Sequence, residues 1–117
     1  MITIYHNNRC SKSRCALELL ENSGKPYTII NYLDDVPTRD ELKNLLKLLK
    51  LKPIELVRTN EALWKENYKH LNLSDAKLIT LMTKNPKLIE RPIVINGNQA
   101  VIGRPAEKVL DIYKFFL

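Results

Sequence analysis

The chain has 117 residues, 44% of them hydrophobic and 27% charged, with a formal net charge of +6 at pH 7. That size fits one domain able to bury a core without staples, and no apolar run or leader pattern calls for a membrane or a secretory route, so a cytoplasmic protein is the expectation. The basic excess is compatible with nucleic acid, an acidic partner or an anionic substrate. The absence of an RNA- or DNA-binding module, of a dense Lys/Arg block and of an aromatic ladder excludes the first.

Taken in chain order, Ile2-Thr3-Ile4-Tyr5 reads as a buried strand. A helix is expected from about Ser11 to Ser23, stopped by Gly24. Tyr27 to Tyr32 is β-rich and reads as a second strand. Strand, helix and strand within about thirty residues make a βαβ unit, which requires the two strands to be parallel. Thr38-Arg39-Asp40-Glu41 is a capping box, and Leu42, Leu45, Leu46 and Leu49 follow at helical spacing. Pro53 opens a short segment ending near Arg58. A further short helix is expected over Glu61 to Tyr68, with Trp64 in its packing. Ser74 is a plausible N-cap for a helix carrying Leu78, Ile79, Leu81 and Met82, ended by Asn85-Pro86. Most lysines fall on these segments between Lys43 and Lys87 and read as a solvated helical surface. Pro92 to Ile95 and Ala100 to Ile102 are strands, with Asn96-Gly97 as the hairpin signal. Pro105 suits the first turn of a closing helix with Val109, Leu110, Ile112 and Tyr113 on its apolar positions.

The chemistry concentrates in Tyr5-His6-Asn7-Asn8-Arg9-Cys10-Ser11-Lys12-Ser13-Arg14. Cys10 falls where a strand hands over to a helix N-terminus. Unpaired amides and the positive end of the helix dipole gather there. With Lys12, Arg14 and His6 near in sequence, a thiol at such a junction loses its proton more readily than a free cysteine. The same amides can cradle an oxyanion. A lone cysteine also serves as a small core residue, and a histidine as a partner for a backbone carbonyl. Lys12 and Arg14 can cap loop carbonyls or contact substrate. The two cysteines and two histidines lack metal-ligand spacing, so no metal is expected. Ala16 stands where a C-x5-R phosphatase loop needs arginine, which excludes that class.

Cys10-Ser11-Lys12-Ser13 has serine where a dithiol C-x-x-C pattern places its second cysteine. Cys15 does not substitute for it. Five helical steps turn a side chain roughly 140° away and about 7.5 Å along the axis. A disulfide needs the two Cα atoms within about 7 Å. Cys15 is instead expected as a small residue on the sheet-facing or loop-facing edge of the helix. An external thiol is therefore implied for any redox cycle.

The layout, βαβ then an all-helical insert of about residues 38–86 then ββα, resembles a single thioredoxin-like domain over residues 1–117: α/β, with a mixed sheet and the helical segment between its halves. The chain further resembles the glutaredoxin-dependent bacterial arsenate reductases. The likeness is carried by Tyr5-His6-Asn7 with Cys10 and Ser13-Arg14, by Tyr32-Leu33 with Pro37 to Leu42, by Leu56-Val57-Arg58, by Arg91-Pro92-Ile93-Val94, and by Gly103-Arg104-Pro105 with Val109 to Ile112. It departs from the family pattern at Cys15 and in stopping at Leu117, without the C-terminal extension of the longest members.

The resemblance implies that Cys10 is the nucleophile and that His6 helps keep it ionised. It implies that Arg58, Arg91 and Arg104 hold the oxyanion, joined by Ser13 and Arg14 in substrate binding, and that the Arg91-Pro92 bond is cis. It names arsenate as substrate, glutathione as co-substrate and glutaredoxin as the regenerating partner, with no tightly bound cofactor, in a monomer. Two alternatives share the scaffold: a glutathione-dependent thiol reductase with another substrate, and a non-catalytic regulator that binds RNA polymerase.

Overall fold

The structure is a computed structural model that describes residues 2–113, and of Tyr113 only the backbone. These residues form two compact units: one from the residues up to Asp35 together with those from Arg91 onward, the other from Val36 to Glu90.

The first unit holds a four-stranded sheet. Its strands are β1 (Ile2–His6), β2 (Tyr27–Asn31), β3 (Ile93–Asn96) and β4 (Gln99–Ile102), in the order β2-β1-β3-β4. β1 runs parallel to β2, as the intervening helix α1 (Ser11–Ser23) requires, and antiparallel to β3. Strand side chains alternate between faces. Ile2 and Ile4 therefore share one face, and Val94 lies opposite Ile4 in register. With Ala16 and Leu20 of α1 and Val109 and Ile112 of the closing helix α6 (Val109–Tyr113), they form the core of this unit. His6 is next in the same alternation, so it continues that buried face to the N-terminal end of α1.

Local chemistry sets the ends. α1 stops at Gly24, whose φ of 71° is the left-handed conformation glycine adopts without penalty. The β3–β4 hairpin turns one residue later than the Asn96-Gly97 signal indicates. Asn96 pairs with Gln99, and Gly97 (φ 63°) takes the first central position, the placement a II′ turn uses. Asn96 is consequently a buried strand residue. Pro105 precedes a 3-10 turn (Ala106–Lys108) that leads into α6. Gly103 marks a close approach. A Cβ there would lie 3.0 Å from Pro92 Cγ, 3.2 Å from Val109 Cγ2 and 3.4 Å from Ala16 Cβ.

The second unit is helical: α2 (Arg39–Leu49), α3 (Pro53–Leu56), α4 (Ala62–Asn67), α5 (Asp75–Lys84) and a 3-10 turn (Pro86–Leu88). The Thr38 hydroxyl accepts the Glu41 N–H at 3.1 Å while the Glu41 carboxylate accepts the Thr38 N–H, the reciprocal box expected from the sequence. Ser74 caps α5 by accepting the Lys77 N–H. Arg39 donates to the Ala76 carbonyl and to the Thr80 hydroxyl, fastening α2 to α5. A one-residue bridge between Val57 and Ile89 closes the unit, with the Arg58 N–H donated to the Leu88 carbonyl at 2.7 Å. Among the described residues no helix is long and apolar enough to cross a membrane.

Candidate active site

The site is built on the turn between β1 and α1. The Cys10 N–H donates to the Asn7 carbonyl at 3.0 Å, and the Cys10 carbonyl accepts the Arg14 N–H at 3.0 Å as the first bond of the helix. Cys10 is thus the N-cap of α1, in extended conformation (φ −99°, ψ 121°), only 7% exposed. Its sulfur takes no capping bond of ordinary geometry; the N–H groups of Ser13 and Lys12 act on it as oriented dipoles. Burial is the largest influence on the thiol and raises its pKa. The Ser13 N–H, the Arg91 guanidinium, the Lys12 N–H and the Arg104 guanidinium together outweigh burial, and the balance holds Cys10 below the ordinary thiol range.

Two arginines act on this thiol. Arg104 lies just beyond β4, with Nη1 3.9 Å from Cys10 Sγ, and it also donates to the Arg91 carbonyl at 3.3 Å. Arg91, 9% exposed, lies just before β3. Both precede cis prolines, at Arg91-Pro92 and Arg104-Pro105. The Gly103 N–H donates to the Pro92 carbonyl at 2.9 Å, which ties the two arginine-bearing segments together. A buried thiolate flanked by two guanidiniums and helix amides can attack an electrophilic centre while donors hold the oxygens around it.

The remaining residues that the sequence points to are placed as follows. His6 is buried, with Nε2 2.6 Å from Asn8 Oδ1 and Nδ1 2.6 Å from Ser13 Oγ. The Ser13 hydroxyl is committed inward, to His6 and to the Asn7 N–H at 3.0 Å. Arg14 donates to the Asn8 carbonyl at 2.8 Å. Arg58 belongs to the helical unit, where it pairs with Glu61 at 3.0 Å and donates to the Lys87 carbonyl at 3.4 Å.

Cys15 corrects an expectation: it is exposed, and both cysteines are free thiols. The buried stripe of α1 is Ser13, Ala16 and Leu20, and Cys15 stands about 100° around the helix from Ala16, outside that stripe. The sequence places Asn7 and Asn8 in the reactive run without giving either a role. Their signal was available, since asparagine beside a turn commonly bonds its own loop. A cleft of about 350 Å³ beside the loop is lined by His6, Asn7, Asn8, Arg9, Asn31 and Asp34 among others. Among the described residues no cluster of His, Cys, Asp or Glu could hold a metal ion.

Compared with known proteins, the sequence matches the ArsC family over residues 5–112. The chain belongs to the ArsC family. An arsenate reductase of Haemophilus influenzae is 45% identical over 113 residues, covering 95% of this chain and 97% of that protein. An uncharacterized Escherichia coli protein, YfgD, is 46% identical over 113 residues, 95% of each chain. Among solved structures, the arsenate reductase from Vibrio cholerae is 48% identical and superposes with a TM-score of 0.89 over 95% of this chain and 96% of that one. The ArsC fold is α/β and thioredoxin-like, in agreement with the mixed sheet described above.

Proposed function

We propose that this ArsC-family chain is an arsenate reductase with Cys10 as its nucleophile. The observation that carries the reading is the approach of Arg104 to within 3.9 Å of a buried sulfur at the N-terminus of α1. The thiol's depressed pKa and the names of the relatives add support.

In the first step Cys10 Sγ attacks arsenic. A sulfur–arsenic bond forms, an arsenic–oxygen bond breaks, and the departing oxygen leaves as water after taking up protons. Arsenic remains at +5. Arg91 and Arg104 hold the remaining oxygens and offset charge on the leaving one. Arginine suits this because its paired donors match a tetrahedral oxyanion and its charge is permanent. In the second step an external thiol, glutathione, attacks Cys10 Sγ. The sulfur–arsenic electron pair stays on arsenic, which leaves as arsenite at +3. The two sulfurs share the oxidation as a mixed disulfide. Glutaredoxin then takes up the glutathione and frees Cys10. The external thiol is required because Ser13 occupies the resolving position and Cys15 lies on the outer face of α1. We read the enzyme as a cytoplasmic monomer with no resident cofactor.

The test is arsenite production from arsenate with glutathione and glutaredoxin. Wild type should turn over, and Cys10→Ser should be inactive with an unchanged circular dichroism spectrum. Substantial activity in that variant, or none in wild type, would overturn the reading.

A further inference from the structure

The loop from His6 to Ser13 carries a circuit of hydrogen bonds whose direction can be read. His6 is 2% exposed, and each ring nitrogen faces a side-chain partner. Its Nε2 faces Asn8 Oδ1 at 2.6 Å and its Nδ1 faces Ser13 Oγ at 2.6 Å. In a neutral imidazole one nitrogen donates and the other accepts. The Asn8 carbonyl oxygen only accepts, so Nε2 carries the hydrogen and Nδ1 is the acceptor. Ser13 must then spend its single O–H on Nδ1. That leaves an oxygen lone pair for the Asn7 N–H at 3.0 Å. Asn7 in turn accepts the Cys10 N–H through its carbonyl and the Arg9 N–H through Oδ1, each at 3.0 Å. With the hydrogen on Nδ1 instead, Ser13 Oγ would meet two donors, its own hydrogen would lose its partner, and two lone pairs would oppose each other between Nε2 and Asn8. The bonds in the circuit support one another in one sense only.

We propose that Asn8 is a positioning residue, whose side-chain carbonyl fixes the hydrogen of His6 on Nε2 and, through the Ser13 hydroxyl, sets the geometry of the loop that presents Cys10. The link to chemistry is Ser13 itself. The residue whose hydroxyl is locked by His6 is the third of the helix that Cys10 caps, the position whose backbone N–H faces an N-cap side chain. His6 thus influences Cys10 through an orientation rather than by direct contact. The charged groups around the loop stay in place when Asn8 changes. They are Lys12 and Arg14 on α1, Arg9 in the loop, Arg91 and Arg104 acting on Cys10, and Asp34, which lines the same cleft as Arg9. The inference rests on Cys10 being the nucleophile, as in the proposed function, but not on arsenate being its substrate.

The experiment combines histidine ¹⁵N NMR with the pH profile of Cys10 alkylation by iodoacetamide, read on the Cys10 peptide by mass spectrometry so that Cys15 does not interfere. His70→Gln assigns the two histidine signals. Wild type should show the Nε2–H signature for His6. Asn8→Ala, at an exposed position, should fold, lose the pure signature, and move the alkylation midpoint upward, with reactivity at pH 7 reduced on the order of five-fold, the scale of one lost hydrogen bond. Asn8→Asp keeps an acceptor and should keep a hydrogen on Nε2; because it adds a charge, it is read for that hydrogen alone and not for the alkylation midpoint. An Nδ1–H signature in wild type would overturn the proposal. So would an Asn8→Ala variant in which both signature and midpoint are unchanged. Neither measurement uses arsenate, so a failure of the substrate assignment would show in turnover alone.

Discussion

The sheet unit and the helical unit differ in what they bury. In the helical unit the buried core is apolar: Leu42, Leu56, Met82 and Leu88 are fully enclosed, and Trp64 is the largest member. In the sheet unit an apolar core of Ile4, Leu20 and Val94 is joined by His6, Ser13, Arg91 and Asn96, the buried polar side chains among the described residues. A buried polar group left without partners costs about 1–3 kcal/mol. His6 and Ser13 meet this cost by bonding each other and the Asn7–Asn8 loop, and the same directed bonds run through the loop that presents a thiol. Reactivity therefore collects where burial is polar, and stability where burial is apolar.

The comparison can be strained from either side. The largest expected effect is on stability: Leu56→Ala should cost about 2–5 kcal/mol, the range for deleting an enclosed leucine side chain, measured by urea denaturation. A cost near zero would contradict the assignment of stability to the helical core. Next, Arg104→Lys should raise the barrier for arsenate reduction by roughly 2–4 kcal/mol, as for loss of an oxyanion donor, with little change in melting temperature. Lysine keeps the charge but not the planar fork, so full activity in this variant would reduce Arg104 to a general electrostatic role.

The pH dependence sharpens the contrast. The balance of influences on Cys10 depresses its pKa. Alkylation should therefore rise to its plateau at lower pH than for a free thiol. Linkage has the same sign: the stabilising contribution of the thiolate is complete above the ordinary thiol pKa and is lost as pH falls through the depressed one. A midpoint at or above that of a free cysteine would show burial prevailing over the donors. The smallest effect is expected from Arg58→Lys. Its ion pair with Glu61 is partly exposed, at 22% and 24%, and contributes under about 1 kcal/mol to stability. A fall in kcat/KM on the order of ten-fold, the scale of a charge-assisted hydrogen bond, would identify it as the helical unit's contribution to the chemistry. Unchanged kinetics would leave Arg58 a structural residue of that unit.

Features governed by near neighbours were legible in the sequence. The Thr38–Glu41 box, the Gly24 stop, the Ser74 cap and the parallel pairing of β1 with β2 follow from chemistry within a few residues or from handedness. The junction that makes Cys10 an N-cap belongs to the same class. What escaped depends on which face of an element meets the core. Burial of free cysteine in general points Cys15 to the sheet-facing or loop-facing edge of α1, but Ser13, Ala16 and Leu20 fill the buried stripe and Cys15 is exposed. The hairpin shifted by one residue because Asn96 completes the β3–β4 register. The approach of Arg104 to Cys10 joins residues 94 positions apart, and only the resemblance to known reductases anticipated it.

Gly103 has a consequence for how such a site reads under selection. It holds no side chain toward any reactant, yet the space a methyl group would need is taken by Pro92, Val109 and Ala16. Any larger residue must push Pro92 by a few tenths of an ångström, and with it the carbonyl neighbourhood shared by Arg91 and Arg104. In a saturation screen for arsenic resistance, this position would register as sensitive to the extent that Pro92 and Val109 cannot give way. The missing methyl group would then be mistaken for a participant in the reaction, although its contribution is the room it leaves.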